Sequence, residues 1–144
     1  MRRFIFGFVT AALIVGGVLF FLPRREVATG IALRVGASSI NVELARTPDE
    51  HARGLMYRKS MPEDSGMLFL FSESREQIFW NKNTLIPLDI IWVQDKQVVG
   101  LIQLPVIADG LKTVSSQKNV DAVLEVNLGW AERHGIKIGD ALEW

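Results

Sequence analysis

Beyond residue 30 the apolar residues fall in short runs cut apart by turn residues, and that pattern confines the chain to a mainly β fold. Ile31-Ala32-Leu33-Arg34-Val35 and Ile40-Asn41-Val42-Glu43-Leu44 flank Gly36-Ala37-Ser38-Ser39. In the second run Ile40, Val42 and Leu44 alternate with Asn41 and Glu43. A period of two puts one face of a strand in a core and the other in water, so the pair predicts a hairpin. Met67 to Phe71 is apolar throughout, as in a strand buried on both faces. Gln77 to Lys82, Val120 to Asn127 and Ala141 to Trp144 read as further strands. Asp89 to Gln94 and Gln97 to Leu104 are expected to pair across Asp95-Lys96, a two-residue turn in which Asp tolerates positive φ.

Helical signals are few. Thr47-Pro48-Asp49-Glu50 is a capping box: the Thr47 hydroxyl accepts from the Glu50 amide, and the Glu50 carboxylate accepts from the Thr47 amide. Pro48 stands at the first helical position, where a missing N–H costs nothing. Ala52, Leu55 and Met56 give that helix an apolar stripe, and it is expected to fray near Tyr57 to Lys59. Gly129 to His134 predicts a second short helix, stopped by Gly135. About eight short strands and two short helices make a small barrel or two-sheet sandwich, mainly antiparallel.

The N-terminus is different in kind. Phe4 to Leu22 carry no charge, between Arg2-Arg3 and Pro23-Arg24-Arg25. Nineteen helical residues rise roughly 28 Å, close to the hydrocarbon thickness of a bilayer. The run exceeds the apolar core of a cleaved signal peptide, so it is read as an N-terminal hydrophobic helix that anchors the chain. The alternative is a signal cut near Ala28-Thr29-Gly30, giving a secreted or periplasmic protein. The free amino group with Arg2 and Arg3 favours a cytoplasmic N-terminus and an extracytoplasmic domain. Residues 1–25 are thus assigned to the anchor or signal segment, 26–30 to a linker and 31–144 to one domain.

Over residues 31–144 there are twelve Lys/Arg and fifteen Asp/Glu, which argues against a nucleic-acid partner, since that needs a clustered basic face. There is no cysteine, hence no disulfide framework and no thiol nucleophile. His51 and His134 have no ligand-spaced neighbours, so no metal site and no cofactor is expected. No P-loop, dinucleotide fingerprint or G-x-S-x-G elbow occurs, and no catalytic residue is assigned.

The densest polar stretch is Phe79-Trp80-Asn81-Lys82-Asn83-Thr84, followed by Pro87-Leu88-Asp89-Ile90. On a strand, Ile78, Trp80, Lys82 and Thr84 would share one face and Phe79, Asn81 and Asn83 the other. Lys82 then lies within cation–π reach of Trp80, or simply covers it as a solvated side chain. Asp89 either takes backbone amides at a strand entrance or partners Lys82 or Arg53 at a ligand. Arg53 suits the negative end of its helix. His51 is expected to be exposed. Glu125 is ordinary surface if its strand face meets water, and needs a partner if the sheet closes over it. Asp89 and Glu125 together could form a carboxylate pair of the glycosidase type.

Arg53-Gly54-Leu55-Met56, Gly66-Met67-Leu68-Phe69, Phe79 to Thr84, Pro87 to Ile90, Leu124-Glu125, Asn127-Leu128-Gly129 and Gly135 to Asp140 stand in the order of one family. The chain resembles the domain-of-unknown-function family 192 from Ile40 to Leu142. The resemblance implies a small, mainly β bacterial or archaeal domain, often behind a signal or anchor, with no established reaction. The family usually reads F-W-M-K-N-T; this chain has Asn81 in place of the Met, and Pro105 to Lys118 match weakly. If position 81 lines a pocket, an amide would change the ligand preference. Arg53, Lys82, Asn83, Thr84, Asp89 and Glu125 match polar positions of the family pattern, and Arg53, Lys82, Asn83, Asp89 and Glu125, with Trp80 as an apolar wall, are the candidate ligand-binding residues. The leading expectation is a membrane-tethered module for a small polar or anionic ligand. The others are a hydrolase using Asp89 or Glu125, and an interaction protein of the envelope.

Overall fold

The computed structural model describes residues 30–144. The expected N-terminal hydrophobic helix, the anchor and the linker up to residue 29 lie outside the described residues. Seven strands form a single sheet: β1 (Ile31–Val35), β2 (Ser38–Ala45), β3 (Ser65–Trp80), β4 (Leu88–Gln94), β5 (Gln97–Leu104), β6 (Thr113–Asn127) and β7 (Leu142–Glu143). Helix α1 (Pro48–Arg53) joins β2 to β3, and α2 (Trp130–Arg133) follows β6. The order across the sheet is β5-β4-β6-β3-β2-β1-β7. All neighbours are antiparallel except β2 and β3, whose parallel pairing the α1 crossover permits.

The sheet curls into a half-barrel. Its two edges meet at one end, where Val98 N–H donates to Asp140 O at 2.9 Å and Leu142 N–H to Lys96 O at 2.8 Å. A two-sheet sandwich is therefore corrected to one curled sheet, and about eight strands to seven. The count falls because Met67–Phe71 and Gln77–Lys82 are parts of one strand, β3, which ends at Trp80.

The predicted local devices are in place. Thr47 and Glu50 form both halves of the capping box. Asp95 and Lys96 both have positive φ, at 50° and 59°, which matches the right-handed twist of the hairpin strands they join.

Register assigns side chains to two cores. Asp89 pairs with Val126, and Ile90 with Glu125. Glu125 pairs in turn with Met67, and Leu124 with Leu68. Leu68, Ile91, Leu124 and Val126 therefore point into the curl, with Val35, Val42 and Trp130. Met67, Phe69, Ile90, Trp92 and Val123 point to the opposite face, with Leu55 and Leu88. Both faces of β4 and of the 122–126 end of β6 are covered, which is why those stretches are mostly apolar.

One strand covers the second face by turning back on itself. The rings of Phe69 and Phe79, both in β3, lie 5.0 Å apart. Ten residues of straight strand would span roughly 33 Å. The reversal comes from two bulges. Leu70 pairs with Ala122 but Arg75 with Val120, so β3 carries the excess residues; Glu76 pairs with Asn119 but Ile78 with Ser115, so β6 carries the next excess. Extra unpaired residues bend a ribbon sharply. The β3/β6 ribbon thus lays Phe79 against Phe69 and, at 5.7 Å, against Trp92.

Candidate functional site

A cleft of about 280 Å³, counting the solvent at its mouth, separates the end of α1 from the returning ribbon. One wall is His51, Arg53, Gly54 and Met56; the other is Phe79, Trp80 and Thr84; Phe69 and Glu125 line it as well. The capping box sets this geometry by starting α1 at Pro48, and Gly54 ends it at φ +45°. A side chain at Gly54 would be strained there, and its Cβ would stand 3.3 Å from Phe69 Cζ and 3.9 Å from Glu125 Oε2. A glycine thus lets α1 close down onto the sheet while leaving Glu125 reachable.

Glu125 is the chemical centre. It is 5% exposed. Among the described residues its carboxyl makes no hydrogen bond and no ion pair. Burial pushes its pKa up to about 8 from 4.5, and the positive charge of Arg58 offsets only part of that. Arg58 is engaged with Glu43, through Nη1 and Nη2 at 2.5 and 2.7 Å, and those bonds hold the Glu43 carboxyl below its usual range. Glu125 is therefore a mostly neutral acid at pH 7, able to donate its proton to a ligand or to lose it to one.

Of the other expected residues, Arg53 and Trp80 line the cleft with Glu125. Arg53 is exposed, and its side chain has no hydrogen bond or ion pair among the described residues. Trp80 is half-exposed and carries the Lys82 ammonium 5.0 Å from its ring centroid, so Lys82 sits at the surface beside the cleft. The strand alternation expected through Thr84 is corrected: Asn81 to Thr84 is a turn closed by Thr84 N–H to Asn81 O at 3.0 Å. In that turn Asn83, at φ +54°, donates from Nδ2 to Tyr57 Oη at 2.7 Å and accepts the Tyr57 N–H.

Two expectations are overturned by burial and register. Asn81 is fully buried and lies outside the cleft lining; its side chain binds the backbone of the 105–112 loop. Asp89 and Glu125 form no carboxylate pair, because they occupy adjacent register positions and so point to opposite faces of the sheet. Asp89 Oδ2 accepts the Ala131 N–H at 3.0 Å in the first turn of α2, and the residue borders a separate surface hollow with Leu101, Ile102 and Ile136.

His51, expected to be exposed, is half-buried: Nε2 reaches Ala45 O at 3.0 Å and the ring meets Phe71 at 4.8 Å. Its four-residue spacing from buried Leu55 was the available signal, since such residues share a helix face. Thr84, Phe69 and Phe79 also belong to the lining, and the last two could be paired only by knowing the strand reversal. No cluster of three or more His, Asp or Glu suited to a metal occurs among the described residues.

The comparisons agree on kinship. A protein from Sinorhizobium meliloti 1021, described as a candidate transcription regulator, has a crystal structure that is 36% identical, with a TM-score of 0.73 over 78% of this chain and 91% of its own. A protein of unknown function from Novosphingobium aromaticivorans DSM 12444 is 37% identical, with a TM-score of 0.73 over 80% of this chain and 85% of its own. No curated protein matches the chain. The model of the family DUF192, described as uncharacterized ACR, matches residues 31–144, and the chain belongs to that family.

Proposed function

We propose that this DUF192 domain is a small-ligand binding module and that its site is the cleft over Glu125. The observation that carries the reading is a buried carboxyl with no partner among the described residues, lining a cleft that opens to solvent. A carboxyl that the fold leaves without a protein partner, at a cleft open to solvent, is a place for a ligand atom. Phe69, Phe79 and Trp80 supply apolar walls, and Arg53 and Lys82 stand at or beside the entrance. A regulator that tracks DNA phosphates finds little support in the acidic balance of residues 31–144.

A ligand screen by thermal shift on the full-length chain in detergent tests the site. Arg53→Ala and Trp80→Ala are exposed substitutions that should each change stability by no more than about 0.5 kcal/mol. Trp80→Ala should weaken whatever ligand the parent binds by roughly tenfold, the loss of one good contact, and Arg53→Ala should shift that affinity in the direction set by the ligand's charge. Ligand shifts unchanged in both variants would move the site elsewhere.

A second reading is favoured by the position of the Glu125 pKa near neutrality, which suits a general acid or base in a hydrolase. Turnover that Glu125→Gln abolishes would support it, whereas a bound ligand released unchanged would exclude it.

We further propose that Phe4 to Leu22 tether the domain outside the cytoplasmic membrane. Support comes from the length and lack of charge of that run. Among the described residues no helix is long and apolar enough to cross a membrane. Alkaline carbonate washing of membranes should leave the full-length chain in the pellet, and its release to the supernatant would overturn the tether.

A further inference from the structure

We infer that the cleft recognises a compact organic cation, an ammonium or guanidinium group, which becomes the charged partner of Glu125. This rests on the binding role proposed above and specifies its ligand.

Burial decides which charge dominates the cleft. The cleft lining holds one buried charge-bearing group, Glu125, and an aromatic set of His51, Phe69, Phe79 and Trp80. Aromatic rings beside a carboxylate are the usual recognition set for a desolvated cation. The opposing charges are weaker in effect. Arg53 is exposed, so water and salt screen it. Lys82 is exposed over Trp80 and is not part of the lining. Arg58, whose charge alone among the described residues reaches Glu125, is bonded to Glu43 of β2. His51 turns Nε2 away to Ala45 O, to which it donates at 3.0 Å. An anion would have to keep Glu125 protonated or lie against a second negative charge, whereas a cation gives the carboxylate the partner it lacks.

Binding is then linked to a proton. Glu125 holds its proton up to about pH 8 in the empty cleft, and a cation must drive that proton off as it enters. Tetramethylammonium is a suitable probe because its charge does not titrate. Calorimetric titration of the full-length chain in detergent should show its affinity rising roughly tenfold or more from pH 6.5 to 8.5. At pH 7, titrations in buffers of different ionisation heat should report close to one proton released. Glu125→Gln should lower the affinity at pH 8.5 at least tenfold and abolish the proton release.

Acetate serves as the opposite probe. Acetate binding that tightens as pH falls, with no tetramethylammonium binding, would overturn the cation assignment and leave the cleft as a binding site. Tetramethylammonium binding that is flat with pH and unchanged in Glu125→Gln would also overturn it. If neither probe binds and the Arg53 and Trp80 variants leave every screened ligand unaffected, the binding role itself falls.

Discussion

Glu125→Gln should flatten the pH dependence of stability that the parent chain shows between pH 5 and 9. Below about pH 4.5 the Glu125 carboxyl is protonated in both folded and unfolded chains, and it contributes no slope. Between 4.5 and about 8 the unfolded chain gives up the proton while the folded chain keeps it. The folded state then binds more protons, so stability falls as pH rises through this window. Above about 8 both states are ionised and the loss is complete. At about 1.4 kcal/mol per pH unit, the full loss is roughly 5 kcal/mol, against a typical total of about 5–15 kcal/mol for a domain. Glutamine has nearly the same shape and does not titrate. It has its own cost, since it buries an amide, but that cost is the same at every pH. Relative to the parent, the variant should therefore gain roughly 5 kcal/mol on going from pH 4.5 to 9. Urea unfolding at pH 5, 7 and 9 measures it, and parallel curves for parent and variant would show that Glu125 ionises normally in the fold. A bound cation should diminish the difference by stabilising the ionised parent.

What could be read from the sequence was local. Thr47 and Glu50 cap a helix three residues apart, and Asp95-Lys96 joins strands that are neighbours in the chain, so both signals act within a few residues. The assignment of Glu125 depends instead on what covers the second face of the sheet. That cover is the β3/β6 ribbon and α1, and the ribbon exists because two bulges reverse strands that read as straight or as separate. Nothing in Ser72 to Arg75 announces the bend, since those residues are exposed and polar as in any loop. Asp89 shows the same limit differently. Its reading as a carboxylate that accepts backbone amides matches the bond to Ala131, but the face it takes is set by its pairing with Val126, thirty-seven positions away. The resemblance to a family singled out Arg53, Trp80 and Glu125 without distinguishing them from Asn83 and Asp89. Geometry separates the first three, which line one cleft, from the others, which hold loops and helix ends.

Asn81→Met should destabilise the domain even though methionine is the family's usual residue at this place. Asn81 is fully buried and its side chain serves four backbone groups. Nδ2 is shared among Pro105 O, Val106 O and Gly110 O at 3.0, 3.1 and 2.9 Å, and Oδ1 accepts the Lys112 N–H at 2.7 Å. These partners lie in the loop between β5 and β6, so one side chain ties the backbone of that loop to the turn that follows β3. A thioether fills the space but donates nothing. With about 0.5–1.5 kcal/mol per lost bond, and partial rehydration of the exposed loop, Met or Ala at 81 should cost about 2–4 kcal/mol. Asn81→Asp sharpens the test, because it keeps the shape but turns an acceptor oxygen toward three carbonyls, and should cost more than Ala. Hydrogen exchange should show lost protection concentrated at residues 105–112, and with it a looser Trp80 and Thr84 wall, since the turn they flank is anchored through Asn81. An Asp variant as stable as the parent, or a Met variant with the loop still protected, would mean that the loop holds its shape without the amide.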